Sequence, residues 1–520
     1  REDEKTLLSP SAKSHVFSVY VLTRHPSTPG QWLSAMDGAI AETEKIPFEK
    51  RREAHEAWWR EFWTRSWLRA EPAGGKTASG ESESSDAFVV SRAYALQRFI
   101  TACAGRGAFP IKFNGSLFTV PYPGTAGDAD YRRWGSGYWW QNSRLPYLAS
   151  CAAGDFDLMQ PFFRMYAGDM LDMAKYRTRH YFGHGGAYLN ECAYFWGAAF
   201  NESYGWTPRE KRETQINESR WHRWEWQGGL ELLYMMLDYY EHTLDEGFLV
   251  KALLPSAREI LTFYNVHYDV DENGKMIMDP GQALETWWES RNPMPEVAGL
   301  QAATERLLAL PSPSTPGITE NDRRLWERVQ AKIPVLPTHL KNGVLMLAPA
   351  EKFANKQNLE NPELYAVFPY RRIAAGKPGI ELGIEALRAR EDKGNFGWRQ
   401  DDIFMAYLGL AEEARAYLAG RAGTWDKESR FPAFWGPNYD WTPDQDHGGV
   451  LMKAFQAMLL QTDGRKICLL PAWPKGWNAD FKLHTPFLTV IRGRVEDGRL
   501  ARLDVTPASR RPDVVCFAGD

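Results

Sequence analysis

The sequence predicts a mainly α protein, a toroid of helix pairs followed by a small C-terminal antiparallel β module. Ten stretches carry apolar residues at helical spacing, and long loops rich in Trp, Gly, Asn and Pro separate them. Amphipathic helices must bury a face on each other, and closed helix pairs satisfy that requirement. Long loops that are both aromatic and polar are usually functional, so we expect the site at one end of the toroid.

The predicted elements follow one another in a simple order. Residues 15–22, "HVFSVYVL", are predicted as a strand. The predicted helices cover residues 50–69, 88–103, 155–176, 229–243, 250–265, 296–310, 320–332, 378–390, 401–419 and 448–461. After them the pattern changes to short alternating strands, with a hairpin turn at Asp497-Gly498 in "EDGRL".

This order predicts three parts. Residues 1–50 form a β-strand or linker segment that is the remnant of an N-terminal β domain or docks onto one. Residues 51–465 form the catalytic toroid, and residues 466–520 form the β module. The expected protein partner is therefore an N-terminal β domain or a second chain that supplies it.

Composition excludes several classes of function. The chain has 520 residues with a net charge of -4, which gives no basic footprint for nucleic acid. No apolar run reaches the ~18 residues that a membrane span needs. The five cysteines have neither metal-ligand nor redox spacing, so neither a cofactor nor a metal is predicted. The N-terminus has no signal-peptide pattern and leaves the compartment open, with secretion or the periplasm favoured for a bacterial chain.

The unusual feature of the composition is its 22 tryptophans, beside 22 tyrosines and 26 phenylalanines. Many lie in polar loops, as in "YRRWGSGYWWQN" (131–142) and "WHRWEWQGG" (221–229). Aromatic faces stack on the apolar faces of sugar rings, while the indole N–H stays available for hydrogen bonds. These loops favour a cleft for carbohydrate, whereas helical tryptophans such as those in "HEAWWREFWTRSWL" favour a core role.

Hydrolysis of a glycosidic bond usually needs two carboxyl groups on opposite sides of that bond. The useful filter is an acid in a Trp, Pro or Gly loop between helices. Four places pass it: Glu285 with Glu289 behind it, Asp440, Asp444 and Asp446 with His447, Glu191 beside Asn190, and Asp401 and Asp402 beside Arg399. Each acid taken singly is more typical of loop hydrogen bonds or helix caps. The second group matches neither an EF-hand nor a zincin, so no metal site is predicted there.

The order and spacing of these motifs resemble glycoside hydrolase family 95, the inverting α-L-fucosidases and α-L-galactosidases with an (α/α)6 barrel. The segment "AFQAMLLQTDGRKICLLPAWPKGW" (454–477) resembles the family's "EMLLQS…LLPALPKAW". The segment "ELYAVFPYRRI" (363–373) resembles "HLYPLFPGRQI", and residues 224–249 resemble a third patch. The similarity runs from about residue 50 to 500 and implies the (α/α)6 toroid, a barrel of helix hairpins.

The resemblance also implies catalytic positions. The family's acid lies in "PSxSPE", and "PGQALE" puts Glu285 in that place. Its base is the Asp of "IDGNFG", which becomes Asp446, with Asp444 as the competitor if the register shifts by two. Of the two family asparagines that position the water and the base, the second becomes Asn142 and the first becomes Trp140.

Departures from the family pattern concern sugar recognition. The family's His-His pair aligns with Asn190 and Glu191, and the His of its "SHLY" becomes Glu363. Because those histidines contribute to sugar recognition in the family, we expect a sugar other than plain 1,2-linked α-L-fucose. The change also makes Glu191 a second candidate for the acid.

We therefore predict an exo-acting, inverting glycoside hydrolase that removes a terminal sugar, similar to an α-L-fucoside or α-L-galactoside, from an oligo- or polysaccharide. Glu285 is the general acid, Asp446 the general base, and Asn142 orients the attacking water. Tryptophans would form sugar platforms, and the other binding residues would read hydroxyl groups. The predicted binding residues are Trp139, Trp140, Glu191, Trp226, Trp287, Trp288, Arg399 and His447.

Two other classes of function fit the same motifs. A polysaccharide lyase would need a uronic acid, a cation such as Arg399 for its carboxylate, and His184 or Tyr188 as a base. A phosphorylase would depend strictly on phosphate. A glycan-binding protein that kept the fold and lost the chemistry would bind sugar without turnover.

Overall fold

Helical segments alternate with short strands along the chain. A computed structural model describes residues 6, 8–24, 26–74, 85–114, 137–199, 209–211, 216, 219–311, 315–424 and 445–517. The α-helices of these ranges are α1 Pro29–Glu44, α2 Phe48–Arg65, α3 Asp86–Ala104, α4 Trp140–Ser143, α5 Ser150–Ala153, α6 Phe156–Ala167, α7 Asp169–Phe182, α8 Gly228–Thr243, α9 Glu246–Phe248, α10 Leu254–His267, α11 Met294–Leu308, α12 Glu320–Lys332, α13 Ile380–Ala389, α14 Asp401–Tyr407, α15 Ala411–Gly423 and α16 Gln445–Leu459.

The strands of the same ranges are short and form several small sheets. They are β1 Trp67–Pro72, β2 Tyr138–Trp139, β3 Cys192–Ala193, β4 Gly281–Ala283, β5 Trp287–Pro293, β6 Thr338–Lys341, β7 Val344–Leu347, β8 Ala350–Lys352, β9 Asn355–Lys356, β10 Leu460–Asp463, β11 Lys466–Leu469, β12 Trp477–Thr485, β13 Thr489–Glu496, β14 Arg499–Thr506 and β15 Val514–Cys516. The chain divides into two units, residues 1–65 with α1 and α2, and residues 66–520 with the other elements.

The predicted helices are confirmed, with two of them broken in the middle. The stretch 155–176 contains α6 and α7, which meet at Gly168. The stretch 401–419 contains α14 and α15, which are separated by Gly409 with a φ of +77°. Glycine adopts this left-handed conformation without a steric penalty, which lets the chain turn between two helices.

Burial separates the helices of residues 66–520 into two kinds. The helices α8, α11 and α16 are buried along nearly their whole length. In contrast, α12 buries one stripe made of Asp322, Leu325, Trp326 and Val329, as expected for a helix with one solvated face. The buried helix α11 packs on both α8 and α12, and α16 packs on α3, α14 and α15. This arrangement fits helix pairs in two layers, and the closed toroid stays a prediction.

The C-terminal β module contains a four-stranded antiparallel sheet in the order β1-β12-β13-β14. The predicted hairpin is present, because β13 and β14 pair from Glu496 and Arg499 across the Asp497-Gly498 turn. Buried and half-buried residues alternate along the second half of β12, so one face of the sheet packs on the core. A second sheet, β10-β11-β15, follows the end of α16.

The strand predicted for residues 15–22 is wrong. The described residues between 8 and 24 contain no strand, and Val16, Phe17 and Val19 are 72–87% exposed. A strand needs a partner for its backbone groups, and these residues have none among the described strands. The segment 1–50 instead carries the helix α1, and the strand that joins the β module from the N-terminal side is β1. Within the described ranges, no helix combines the length and apolarity required to cross a membrane.

Candidate active site

The short helix α4 connects carboxylates that lie far apart in the sequence. The backbone N–H of Gln141 donates to Glu191 Oε1 at 2.7 Å, and its side-chain amide donates to Glu360 Oε1. The next residue, Asn142, donates from Nδ2 to Asp446 Oδ2. All three acceptors are buried. One helical turn therefore holds three buried carboxylates in one region of the structure.

A buried ion pair fixes this helical turn against the core. Arg144, directly after α4, donates from Nε to Glu231 Oε2 in α8 at 2.6 Å. It also donates from Nη2 to the hydroxyl of Tyr365 at 2.8 Å. Separating the two partners would leave uncompensated buried charges, which is energetically costly. The ion pair therefore opposes displacement of α4. The side chains of Gln141 and Asn142 are positioned by this anchor.

Glu285 lies at the centre of the turn between β4 and β5. The preceding residue, Leu284, has a φ of +55°, which is uncommon for a residue with a side chain. Glu285 is half-buried, and its Oε2 accepts a hydrogen bond from Asn358 Nδ2 at 2.9 Å. Thr286, the last residue of the turn, donates to Glu360 Oε2 at 3.1 Å. Glu285 is thus adjacent in the chain to Thr286, which joins the same hydrogen-bonded network as α4 through Glu360.

Asp446 occupies the second position of α16. The free N–H groups and the dipole at a helix N-terminus stabilise a negative charge there. A hydrogen bond from the amide of Asn142 adds to this stabilisation. The competitor Asp444, like Asp440, lies outside the described residues.

Like charges crowd around Glu285. Burial, together with the charges of Glu285 and other acids, raises the pKa of Glu191 and of Glu225 well above the ordinary glutamate value. Burial and then the charge of Glu285 raise the pKa of Glu360 to about 8, although the hydrogen bond from Thr286 acts in the opposite direction. Carboxylates this close cannot all ionise at neutral pH. Part of the cluster is therefore protonated and can donate hydrogen bonds.

Two oxygens of this cluster accept no hydrogen bond from the residues that the structure describes. They are Oε2 of Glu191 and Oε2 of Glu225, and both residues are 1% exposed. A buried polar atom without a partner costs roughly 1–3 kcal/mol. Hydroxyl groups of a bound sugar are partners of suitable chemistry for such oxygens.

We expect the raised pKa of Glu360 to make the folded state less stable as pH rises. The folded protein keeps a proton between pH 4.5 and about 8 that the unfolded chain releases, so this stabilisation is full below pH 4.5 and is lost towards pH 8. Glu360→Gln replaces the protonated acid with a neutral group of the same shape. The unfolding temperature of the variant should therefore fall less between pH 5 and 8 than that of the wild type. Glu289→Gln, an exposed change on β5, should keep the wild-type slope, and equal slopes for all three proteins would contradict the assignment.

Three predicted sugar platforms lie in the interior. Trp140 is 1% exposed and packs on Phe162 and Tyr166, with ring centroids 5.6 and 5.1 Å apart. Trp226 is 2% exposed and lies in an aromatic cluster with Phe263. Trp139 is also buried. Trp140 and Trp226 contribute to the core rather than presenting a face to a ligand.

The two tryptophans of β5 remain accessible at the candidate site. Trp288 donates its indole N–H to the backbone oxygen of Glu285 at 3.1 Å and meets Trp221 edge to face. Trp287 lines a cavity of about 100 Å³ together with Glu360 and Glu363. Both tryptophans are half-buried, so each keeps an exposed part beside the Glu285 turn.

Both ring nitrogens of His447 contact backbone groups of the protein, contrary to the predicted role of this residue in reading hydroxyl groups. Its Nδ1 accepts from the backbone N–H of Gly397 at 3.3 Å, and its Nε2 lies 2.8 Å from the backbone oxygen of Arg421. Burial, and then the charge of Arg421, lower the pKa of His447 to about 3. The neutral ring therefore fixes the loop before α14 to the first turn of α16. Arg399 lies in that loop and is 7% exposed.

Sequence reasoning missed several members of the network. Glu225 lies in "WHRWEWQGG", so it satisfies the filter of an acid in a tryptophan loop. Glu360, in "NLENPEL", has no aromatic neighbour in sequence and gave no such signal. Gln141 is adjacent to Asn142 and could be found only from its contacts. Among the described residues, no three His, Cys, Asp or Glu side chains form a group able to hold a metal ion.

Comparison with known families gives a short match. Residues 6–68 match a family model described as a domain of unknown function, DUF5703. None of the curated proteins matches this chain.

Comparison with solved structures supports the fold. A structure assigned as a kojibiose phosphorylase from the human microbiome is similar with a TM-score of 0.55 at 13% identity. The match covers 91% of this chain and 64% of that one, so this chain spans less than two thirds of its length. A wild-type glycosidase and a glycosidase variant in complex with glucose each match 71% of this chain and 97% of theirs, with TM-scores of 0.45 and 11% identity. The chain thus shares its fold with the phosphorylase structure, and this likeness is not specific to family 95.

Proposed function

We propose that this chain is a carbohydrate-active enzyme that cleaves a terminal glycosidic bond by inverting hydrolysis. The observation that carries the proposal is the hydrogen bond between Asn142 and Asp446, made by the same helical turn that binds Glu191 and Glu360. Thr286, which donates to Glu360, directly follows Glu285, and the charge of Glu285 acts on Glu360. A carboxylate held by Asn142 and a cluster of carboxyls with raised pKa values are the two kinds of group that inverting hydrolysis needs.

Each residue has a defined step. Asp446 accepts a proton from a water molecule while the water oxygen forms a bond to the anomeric carbon. The bond from that carbon to the leaving oxygen breaks, and Glu285 gives its proton to that oxygen. Asn142 holds Asp446 and the water in line. Glu285 stands among buried acids whose pKa values are raised by burial and by its own charge, a setting in which the carboxyls cannot all ionise and which suits a general acid.

Glu191 is the alternative acid. It is buried, and its pKa is raised well above the ordinary value by burial and by Glu285. Its Oε1 accepts from the backbone of Gln141, which leaves Oε2 for a substrate. Glu285 is preferred because it is half-buried and stands at a turn beside the accessible Trp288, where a leaving group can reach it.

The substrate proposal is a glycan with a terminal sugar related to an α-L-fucoside or α-L-galactoside. It rests on the resemblance of the motifs around Glu285 and Asp446 to family 95. The exo-acting mode and the location outside the cytoplasm belong to the same proposal. The replacement of family histidines by Asn190 and Glu191 argues for a sugar other than fucose itself.

Phosphorolysis is the second candidate reaction, and the phosphorylase fold match at a TM-score of 0.55 favours it. In that reaction a phosphate oxygen would attack the anomeric carbon in place of water, and Glu285 would still protonate the leaving oxygen. Because phosphate is already an anion, it needs no base, and Asp446 would have no proton to remove from it.

The test is incubation of the full chain with a panel of α-linked oligosaccharides, with and without inorganic phosphate. Release of free sugar without phosphate is the result that hydrolysis predicts. Release of a sugar phosphate only when phosphate is present would establish phosphorolysis. A product that absorbs in the near ultraviolet would establish a lyase, and glycan binding without any product would leave a binding protein.

A further inference from the structure

Arg399 is a buried cation with no hydrogen-bond acceptor among the described residues. It is 7% exposed, and its Nε and Nη1 atoms are buried and donate no hydrogen bond to that part of the chain. Among the described residues it forms no ion pair. Burying a charged group without a partner is more costly than burying a neutral one. A guanidinium in this state is suited to a partner that arrives with a ligand.

Two neighbouring arginines show that this is a property of Arg399 and not of the region. Arg390 donates to Asp401 Oδ1, and Arg421 donates from Nε to Asp402 Oδ2 at 2.7 Å. The remaining oxygen of Asp401, Oδ2, accepts no hydrogen bond from the described residues, so Asp401 interacts with Arg399 only through charge, which opposes the rise that burial causes in the pKa of Asp401. Each acid at the start of α14 therefore forms its ion pair with another arginine.

The side chain of Arg399 is held through its carbon atoms and its flat faces. A Cβ on Gly394 would lie 2.6 Å from Arg399 Cδ, so the arginine stem crosses a space that only glycine leaves open. Its guanidinium lies 5.8 Å from the ring centroid of Phe396 and 5.7 Å from that of Trp398. Such contacts fix the orientation of the group and leave its N–H edges for planar oxyanions.

The loop of Arg399 belongs to the candidate active site. Gly397 donates its N–H to His447, which follows Asp446 directly. Arg421 donates to the backbone oxygens of Arg399 and Gly397, and also lies 3.4 Å from the backbone oxygen of His447. Arg399 is thus carried by a loop that is bonded to the first turn of α16.

We propose that Arg399 binds an oxyanion in the substrate complex, either the carboxylate of an acidic sugar or inorganic phosphate. This inference rests on one part of the proposed function, the cleavage of a glycosidic bond at this site, which hydrolysis and phosphorolysis share, and it names the chemistry of the substrate. A guanidinium donates two parallel N–H bonds to a pair of oxygens, which both a carboxylate and a phosphate offer, so both oxyanions share the chemistry that this site needs. If Arg399 binds the carboxylate of an acidic sugar, the enzyme is specific for glycans with uronic acids. If it binds inorganic phosphate, the enzyme is a phosphorylase.

The experiment is titration calorimetry of the full chain with sodium glucuronate, inorganic phosphate and D-glucose as the neutral control. We expect one of the two anions to bind the wild type more tightly than glucose. Arg399→Gln should weaken that binding by at least ~10-fold, which corresponds to about 1.4 kcal/mol. Arg399→Lys should recover only part of it, because an ammonium group lacks the fork geometry. Gly394→Ala should weaken it as well, by displacing the stem of Arg399.

The matched control is Arg388→Gln, which removes an equal charge nearby from a side chain that is 62% exposed. It should leave anion binding unchanged. Equal binding by the wild type and Arg399→Gln, or no binding of either anion, would overturn the inference. If those results came with hydrolysis of a neutral glycan, the proposed function would stand without it. Anion binding through Arg399 without cleavage of any glycan would support the inference and remove the proposed function.

Discussion

Replacing Glu285 with glutamine is expected to lower kcat/KM for natural glycosides by about 10²- to 10⁴-fold, the usual contribution of a general acid. The glutamine keeps the shape of the side chain and still offers an oxygen to Asn358, so the β4–β5 turn should persist. The loss should be far smaller for substrates with an activated aryl leaving group, which departs without protonation. The basic limb of the pH profile should also disappear, since it reports ionisation of the acid.

The measurement is kcat/KM for matched natural and aryl glycosides across pH 4.5 to 9. Glu289→Gln is the control, because it makes the same change on the next strand at an exposed carboxyl. Glu191→Gln separates the two candidate acids. If Glu191→Gln shows the leaving-group effect and Glu285→Gln does not, the acid has been assigned to the wrong carboxyl.

Replacing Asp446 with asparagine should lower turnover by a similar ~10²- to 10⁴-fold factor for every substrate, whatever its leaving group. An amide cannot accept the proton of the attacking water. Substrate binding should change little, so the loss is expected in kcat rather than in KM. Asn142→Ala should cause a smaller loss, because it removes the group that orients the base but not the base itself.

Steady-state kinetics of the Asp446→Asn and Asn142→Ala variants test this expectation. Asp463→Asn provides a control on β10, where the carboxylate is partly exposed and pairs with Lys377. Azide or formate should restore activity to a Asp446→Ala variant by taking the place of the base. Near wild-type kcat in Asp446→Asn would show that this carboxylate does not act on the nucleophile.

Much of the fold could be predicted because the apolar residues of a buried helix face recur in the sequence at helical spacing. The repeat of apolar residues locates α3, α8 and α12 within a few residues of their ends. The Asp497-Gly498 pair fixes the hairpin of the β module. The prediction over residues 15–22 was wrong because a local apolar pattern shows only that a segment is suited to a strand. It does not show whether another strand is present to pair with it.

The candidate site could be predicted only where residues carry a local signal. The resemblance to family 95 implied that Asn142 and Asp446 act together, and the structure joins them by a hydrogen bond. Their catalytic roles stay predictions. The chain around Glu285, expected as a loop between helices, contains β4 and β5, because the turn at Glu285 allows the backbone to pair with itself.

The predicted tryptophan platforms show the limit of such reasoning. Trp140 and Trp287 both lie in polar, tryptophan-rich segments of the sequence. Trp140 is nevertheless buried in the core, whereas Trp287 is half-buried beside the candidate site. Which face a residue presents is decided by contacts made over long sequence distances. The hydrogen bond between Gln141 and Glu360 also joins residues far apart in the sequence. The lack of an acceptor for Arg399 among the described residues likewise could not be read from its neighbours in sequence.

The most direct test of the account is the anomeric configuration of the first sugar released, followed by proton NMR from the start of the reaction with a cleaved member of the glycan panel. With Asp446 activating water opposite Glu285, the account predicts inversion, so an α-linked substrate should first release the β-anomer. Initial release of the α-anomer would contradict it, because retention requires a covalent intermediate on a carboxylate and not a base-activated water.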